Sequence, residues 1–447
     1  MGRIFGTDGI RGRANELLTP ELAVRLGRAV VTLLAEEGTA RPTVLVGRDP
    51  RWSGEMLEAA LVAGITSAGG DAVLLGVIPT PAVAHLTSVG GAAAGAVISA
   101  SHNPVGDNGI KFFGPDGFKL TDAEEARFEE LLEDDAELRR PTGVDVGRAS
   151  DDPTALDRYV DHVVAASSVD LTGTTVVVDG ANGAASLAAP AVYRRLGATV
   201  HALHCAPDGR NINDGVGSTH PAVVCAAVRE LGADVGIAHD GDADRLIAAT
   251  ASGAEVDGDV ILAILARDMQ AAGTLAHDTV VTTVMTNLGF KRAMTGLGID
   301  VVETAVGDRY VLEAMRERGC NLGGEQSGHL ITLDHATTGD GVLSAVHLLG
   351  TVVGSGASLD ELATVMTRLP QTLRNVSGVA RERLADCAPV WDAVAAEEAR
   401  LGDDGRVLVR PSGTEPLVRV MVEAPTLQDA EASAGRIAAA VSAHLAL

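Results

Sequence analysis

The chain of 447 residues is too long for a single hydrophobic core, and its length corresponds to about three or four domains. Its composition, 46% hydrophobic and 21% charged with only 2% aromatics, is that of a water-soluble globular protein whose cores are filled by Ala, Val, Leu and Gly. A net charge of −25 argues against a broad basic surface for nucleic acid, because phosphate neutralisation dominates such binding.

In the first third, strands are expected at 43–47, 72–76 and 95–98, with a helix over 53–68 capped by Ser53 and another near 83–88. Residues 109–113 and 118–120 flank Gly114-Pro115-Asp116-Gly117, a hairpin signal. A charged helix over 121–140 opens on Thr121 with Glu124 three residues on, the spacing of a capping box, and 141–153 reads as a linker. The pattern repeats as helix 155–166, strand 175–179, helix 183–196, strand 198–203, helix 221–231 and strand 233–238. It repeats again as helix 259–271, strand 279–283, helix 288–297, strand 300–303 and a helix ending near 318. After about residue 370 it changes to strands 407–409 and 417–422 and a closing helix 427–443. Strands and helices alternating at short spacing predict α/β architecture: three tandem α/β domains (1–150, 151–252, 253–368) with mixed, largely parallel sheets covered by helices, and a smaller C-terminal α+β domain (369–447).

Cys205, Cys225, Cys320 and Cys387 are widely spaced, without a CxxC or Cys/His pair, so neither a disulfide framework nor a zinc site is expected and a reducing compartment fits. The start carries no apolar leader, and no uninterrupted apolar run reaches the length that crosses a membrane. A cytoplasmic location with no membrane partner is the expectation.

Several polar loops follow apolar strands. Ser99-Ala100-Ser101-His102-Asn103-Pro104 sits at a strand's carboxyl end, where α/β proteins place ligands, and Pro104 restricts Asn103 to extended conformations. Asp240, Asp242 and Asp244 alternate directly after a strand; in an extended segment their carboxylates would converge, and an all-oxygen set selects a hard cation such as Mg²⁺ over Zn²⁺. An EF-hand is excluded because Arg245 and Ala251 stand where the motif needs Gly and Glu. Glu325, Ser327 and His329 alternate hydrogen-bonding groups suited to sugar hydroxyls. Arg410-Pro411-Ser412-Gly413-Thr414-Glu415-Pro416 combines a guanidinium, hydroxyls and a glycine in the manner of a phosphate cradle. Arg11 and Lys111 add positive charge against the acidic average.

Together with Phe5-Gly6-Thr7-Asp8-Gly9-Ile10-Arg11-Gly12, these stretches occur in one order along the whole chain and resemble the α-D-phosphohexomutase family. Gly307-Asp308-Arg309-Tyr310, Gly323-Gly324-Glu325-Gln326-Ser327-Gly328-His329 and the run 333–341 are similar to its branch acting on glucosamine phosphates. The resemblance implies four domains around a central cleft, and an isomerase in which Ser101 is a phosphoserine. Such an enzyme converts glucosamine 6-phosphate to glucosamine 1-phosphate through a 1,6-bisphosphate, on the route to UDP-N-acetylglucosamine and the cell wall. It implies one Mg²⁺ held by Asp240, Asp242, Asp244 and a phosphoserine oxygen. Lys111 would act as general acid/base, with Arg11 and His102 beside the phosphoserine and His329 as a second proton-transfer group. Arg245 would hold the metal loop and phosphate, and Asp308 and Arg309 would belong to the loop that changes sides of the turning sugar. Glu325 and Ser327 would read hydroxyls. Arg410, Ser412, Gly413 and Thr414 would grip the non-reacting phosphate, on a C-terminal unit that closes over the cleft. The implied partner is a hexosamine phosphate, with no nucleic acid, and the implied state a monomer or homodimer. A phosphomannomutase/phosphoglucomutase of the same family and a non-catalytic sugar-phosphate binder are the alternatives. One departure from the family pattern is Ala243, where many relatives carry glycine.

Overall fold

Short Val/Ala/Ile-rich runs pair into sheets and the Ala/Leu-rich segments between them cover the faces, as expected for strands buried on both sides. The computed structural model describes Gly6, residues 9–412 and residues 416–447, so Gly413 and Thr414 lie outside the described residues. Four sheets are formed among those residues. The first orders its strands Ile10–Arg13, Asp107–Phe113, Ala94–Ile98, Thr43–Arg48, Asp71–Val77 and Ala149–Asp151. The last four run parallel, and Asp107–Phe113 is antiparallel to both of its neighbours. The second orders Glu255–Val256, Ile247–Thr250, Val235–Ala238, Thr175–Asp179 and Thr199–Leu203, again with a parallel interior and antiparallel additions. The third orders Asp300–Thr304, Thr279–Thr283, Leu322–Gly324 and Leu330–Thr332, and only the last pair is antiparallel. The fourth is antiparallel throughout: Gln371–Ser377, Leu417–Glu423 and Arg406–Pro411. The expected fold class, three mixed, largely parallel α/β sheets and a smaller α+β part, is what the chain adopts.

The first three sheets share a device. A parallel strand (Ala94–Ile98, Val235–Ala238 or Leu322–Gly324) is followed by a polar loop and then by an antiparallel return strand (Asp107–Phe113, Ile247–Thr250 or Leu330–Thr332). Each expected site loop of these sheets, 99–106, 239–246 and 325–329, is this connection. The repeat that the sequence shows only as alternation is thus a repeat of topology.

Two compact units result. One comprises Met1–Met285 and Gly298–Val365, with three sheets; the other comprises Thr286–Leu297 and Met366–Leu447, with the fourth. The helix Leu288–Leu297 belongs to the second unit because Leu288 N–H donates to the Glu423 carboxylate at 2.8 Å and Asn287 Nδ2 to the Leu369 carbonyl at 3.1 Å. In the second unit the sheet is covered by the helices Ala388–Leu401 and Leu427–Leu445 around a core that includes Val390, Val418, Val420, Val422 and Ile437.

Details depart from the sequence expectation for local reasons. The helix Trp52–Ser67 has Arg51, not Ser53, at its N-cap, and Ser53 Oγ instead accepts from Asn108 Nδ2 at 2.9 Å. The capping box at Thr121 and Glu124 is formed, but its helix ends at Glu133. The stretch 141–153 is not merely a linker: Ala149–Asp151 adds an edge strand, parallel to Asp71–Val77. Of the expected hairpin around 114–117, only the first arm is a strand; the second makes one bridge, between Phe113 and Lys119. No single helix among the described residues is long and apolar enough to cross a membrane.

Candidate active site

The loop after Ala94–Ile98 buries Ser101, which is 1% exposed and has a left-handed backbone (φ 49°). Its Oγ–H donates to Asp240 Oδ2 at 2.5 Å, and His102 Nδ1 lies 3.3 Å from Ser101 Oγ. The serine loop and the aspartate loop approach closely because position 241 is glycine: a Cβ there would stand 2.4 Å from the Ser101 carbonyl oxygen.

Asp240, Asp242 and Asp244 are buried, with carboxylate oxygens all within 4.8 Å of one another. The convergence is real, but its cause differs from the expected one. The strand ends at Ala238, and the three side chains are gathered by a tight turn in which Ala243 takes φ 63°. That left-handed conformation is one that glycine adopts without steric cost. For alanine it costs about 1–2 kcal/mol. Glycine would forfeit about 0.5–1 kcal/mol of chain entropy and about 0.8 kcal/mol of methyl burial, so the departure is close to neutral.

Two unit negative charges 4.8 Å apart repel by about 3.5 kcal/mol at an effective dielectric near 20, so three together need compensation. Cations supply part of it. Lys111 Nζ lies 3.3 Å from Asp242 Oδ2 and 3.8 Å from Asp244 Oδ2, and His329 Nδ1 lies 3.6 Å from Asp244 Oδ2. Arg245 Nε is 4.0 Å from Asp240 Oδ2 and 3.8 Å from Asp244 Oδ1. Thr80 Oγ1 donates to Asp242 Oδ2 at 2.8 Å. Each hydrogen bond is to an Oδ2, and the Oδ1 atoms of all three aspartates are buried without a hydrogen-bond partner. Three buried, hydrogen-bond-free carboxylate oxygens fit a hard divalent cation, and the triad could hold a metal.

The titration of the site follows from these contacts. Burial, then the charges of Asp244 and Asp242, hold the Asp240 carboxyl well above the usual range. Burial acts the same way on Asp244, but His329, Lys111 and Arg245 outweigh it and hold that carboxyl well below the usual range. His329 is pushed down by burial and up more strongly by Asp244, Asp308 and Glu325, to about 9, which makes it a cation at neutral pH. His102 is lowered to about 4 by burial and by Arg245 and Arg11, and is neutral. Both arginines therefore bear on the serine loop. Arg11 lies on the strand Ile10–Arg13, half-buried and opposite Gly109.

The third loop meets the second through a bridge between Arg245 and His329. Glu325 accepts from Gly307 N–H at 3.1 Å, and burial raises its carboxyl. Ser327 Oγ and Gln326 Nε2 are buried without partners, so the chain leaves polar groups here for a ligand. Asp308 is 2.5 Å from Lys119 Nζ and 3.6 Å from His329 Nε2, which joins it to the same charged array.

Arg309 is elsewhere. Its guanidinium is bonded to Glu125, to Asp122 at 2.7 Å and to the Leu120 carbonyl at 3.2 Å, and it is 8% exposed. This placement makes it a brace between the helices Asp308–Arg318 and Asp122–Glu133. Arg309→Met is therefore expected to lower the melting temperature of the protein, since it strands the buried Glu125 carboxylate at a cost of about 3–5 kcal/mol. KM of the folded variant should stay near wild type; a raised KM with an unchanged melting curve would favour substrate contact.

In the second unit, Arg410 ends the strand Arg406–Pro411 opposite Arg419, and burial, then Arg419, lowers its guanidinium. Ser412 is buried, with its N–H on the Leu417 carbonyl at 2.9 Å and its carbonyl held by Arg381.

Sequence reasoning missed the groups beneath the serine loop. Asp49 and Arg51 are buried as an ion pair at 2.8 Å, and Asn213 Nδ2 donates to the Ser101 carbonyl at 2.8 Å. The available signal was Arg48-Asp49-Pro50-Arg51, opposite charges two residues apart directly after an apolar strand.

The four parts of the chain match, in order, family models described as phosphoglucomutase/phosphomannomutase α/β/α domains I (residues 2–139), II (157–253) and III (257–369), and the C-terminal domain of that family (373–440). A protein of Saccharopolyspora erythraea named phosphoglucosamine mutase is 58% identical over 444 residues, covering 99% of this chain and 100% of that one. One of the same name from Acidothermus cellulolyticus is 58% identical over 447 residues, covering 99% and 96%. The crystal structure of a phosphoglucomutase/phosphomannomutase family protein of Burkholderia thailandensis superposes with a TM-score of 0.82 at 25% identity, covering 99% of this chain and 97% of that one.

Proposed function

The chain belongs to the phosphoglucomutase/phosphomannomutase family of α-D-phosphohexomutases, and we propose that it interconverts glucosamine 6-phosphate and glucosamine 1-phosphate. The observation that carries the reading is the buried Ser101 hydroxyl, 2.5 Å from an aspartate of a buried carboxylate triad. The high identity to full-length relatives named for that reaction supports the substrate.

In this reading Ser101 carries a phosphoryl group. A sugar hydroxyl attacks phosphorus, the Ser101 Oγ–P bond breaks as the new O–P bond forms, and the proton lost by the hydroxyl is balanced by one gained at Oγ. The bisphosphate turns, and the same exchange run in reverse returns its other phosphoryl group to Ser101. Asp240, Asp242 and Asp244 would hold a Mg²⁺ ion, which would supply electrostatic stabilisation of charge spread over the transferring group. Lys111, buried beside Asp242, is assigned the proton transfer. His329 and Arg245 contribute fixed positive charge, with Arg11 and the neutral His102 beside the phosphoryl group. Glu325 and Ser327 are assigned the sugar hydroxyls, and Asp308 orients His329. The phosphate that is not transferred is assigned to Arg410 and Ser412, with Gly413 and Thr414. We place the enzyme in the cytoplasm, acting as a monomer or homodimer without nucleic-acid or membrane partners; its cysteines are free.

The test is kcat/KM on glucosamine, glucose and mannose phosphates, with the protein's phosphorylation state read by intact mass. Preference for the glucosamine phosphates is expected. Preference for glucose or mannose phosphate would assign the chain to the other branch of the family.

A further inference from the structure

Beneath the serine loop lies an ion pair that touches no proposed ligand. Asp49 and Arg51 follow the strand Thr43–Arg48 and are both fully buried. Arg51 Nε and its backbone N–H hold the two oxygens of Asp49 at 2.8 and 3.0 Å. The rest of the guanidinium donates to three carbonyls of one loop: Nη1 to Pro104 at 2.6 Å, and Nη2 to Ser101 at 3.0 Å and Asn103 at 2.8 Å. Asp49 in turn accepts from Ser99 Oγ at 2.5 Å, and Ser99 Oγ accepts from the Ser101 N–H at 3.0 Å. Both backbone polar groups of Ser101 therefore end on this pair, one directly and one through Ser99.

Two physical consequences follow. Ser101 holds a left-handed conformation that a non-glycine residue adopts only when its surroundings impose it, and these bonds impose it. A trans peptide also points its C=O and N–H in opposite directions. With the Ser101 carbonyl directed at Arg51, the His102 N–H faces away from the guanidinium, and it finds no acceptor among the described residues.

We propose that Asp49 and Arg51 are positioning residues for phosphoryl transfer: the planar guanidinium fork turns the loop carbonyls inward, fixes Ser101 Oγ against Asp240, and leaves the His102 N–H to donate to a phosphoryl group on Ser101. An arginine suits this work because its fork bonds several acceptors in fixed directions, which a lysine cannot reproduce. The proposal rests on the phosphoserine reading of Ser101. Asn213 supplies an independent donor to the Ser101 and Asn103 carbonyls, at 2.8 and 3.1 Å, so the loop is held from two sides without any contact to substrate.

The experiment compares wild type, the double variant Asp49→Asn/Arg51→Met and Ser99→Ala in steady-state mutase kinetics with parallel thermal melts. The double variant removes both charges and so strands neither in the core. Its kcat is expected to fall about 100-fold with KM within about twofold, the effect of misplacing a donor by about 1 Å. Ser99→Ala removes one link and should lower kcat about fivefold. A folded double variant with kcat within twofold of wild type overturns the proposal, as does a raised KM at unchanged kcat. If the double variant does not fold, Ser99→Ala decides alone, and wild-type kcat in it overturns the proposal. A wild-type chain without mutase turnover rejects the underlying reading instead, and the proposal with it.

Discussion

Replacing Ser101 by Ala is expected to reduce mutase turnover by at least about 10⁴-fold, the scale on which a covalent nucleophile's removal is felt. Among the described residues no other hydroxyl is placed to substitute for it. Ser99 Oγ is turned to Asp49, Thr80 Oγ1 to Asp242, and Ser327 lies on a loop of another sheet. The variant should show no phosphorylated species by intact mass when incubated with the 1,6-bisphosphate, whereas wild type should. Stability separates chemistry from folding. Loss of the Ser101–Asp240 hydrogen bond removes about 1–3 kcal/mol at most, too little to unfold a chain of this size. Turnover above about 1% of wild type in a folded Ser101→Ala protein would remove the serine from the mechanism.

Much of this site is legible in the sequence because its residues are clustered in short loops. Ser101, the three aspartates and the run Glu325–His329 each occupy a few consecutive positions, and each follows an apolar strand. Position relative to a strand end is a local property. What the letters conceal is which groups those loops meet. Thr80 reaches Asp242 across 162 positions, Lys119 reaches Asp308 across 189 and Arg51 grips a loop 50 positions away. Arg309 shows the converse case. Its neighbours in sequence place it in a substrate loop, yet its guanidinium is neutralised by Glu125, 184 positions earlier. The turn at Ala243 is hidden for a different reason. Period-two alternation of aspartates fits an extended strand, but it fits equally a tight turn with one left-handed residue, and only the backbone angle distinguishes them. The fold was readable where strands were long and β-branched. The edge strand Ala149–Asp151 and the short pair Leu322–Gly324 and Leu330–Thr332 carry too few residues to show a period.

The carboxylate triad yields the other large effect. Removal of divalent metal by a chelator, or Asp242→Asn, is expected to lower turnover by about 10³-fold, the loss of several kcal/mol of charge stabilisation. Stability adds a second readout. Mg²⁺ that binds only the folded chain raises its melting temperature in proportion to the logarithm of concentration over Kd, and Asp242→Asn should abolish that rise. The sign with pH follows from Asp240. Its carboxyl is held well above the ordinary range by burial and by Asp244 and Asp242, so the metal-free protein retains a proton there that the unfolded chain has released. A raised carboxyl destabilises the metal-free fold as pH climbs past the unfolded value and through the folded one. Metal must displace the same proton, so its affinity should increase with pH over that window and its binding should release protons. Titration calorimetry at several pH values, in two buffers of different ionisation enthalpy, measures both. A Kd unchanged by pH, or an Asp242→Asn protein that is still stabilised by Mg²⁺, would place the cation away from these three residues. The two large effects also separate. Ser101→Ala should keep the Mg²⁺-dependent rise in melting temperature, because all three aspartates remain, while Asp242→Asn should lose it. A donor variant that binds metal without turning over, beside a metal variant that does neither, would assign the covalent and the electrostatic work to two loops of two different sheets.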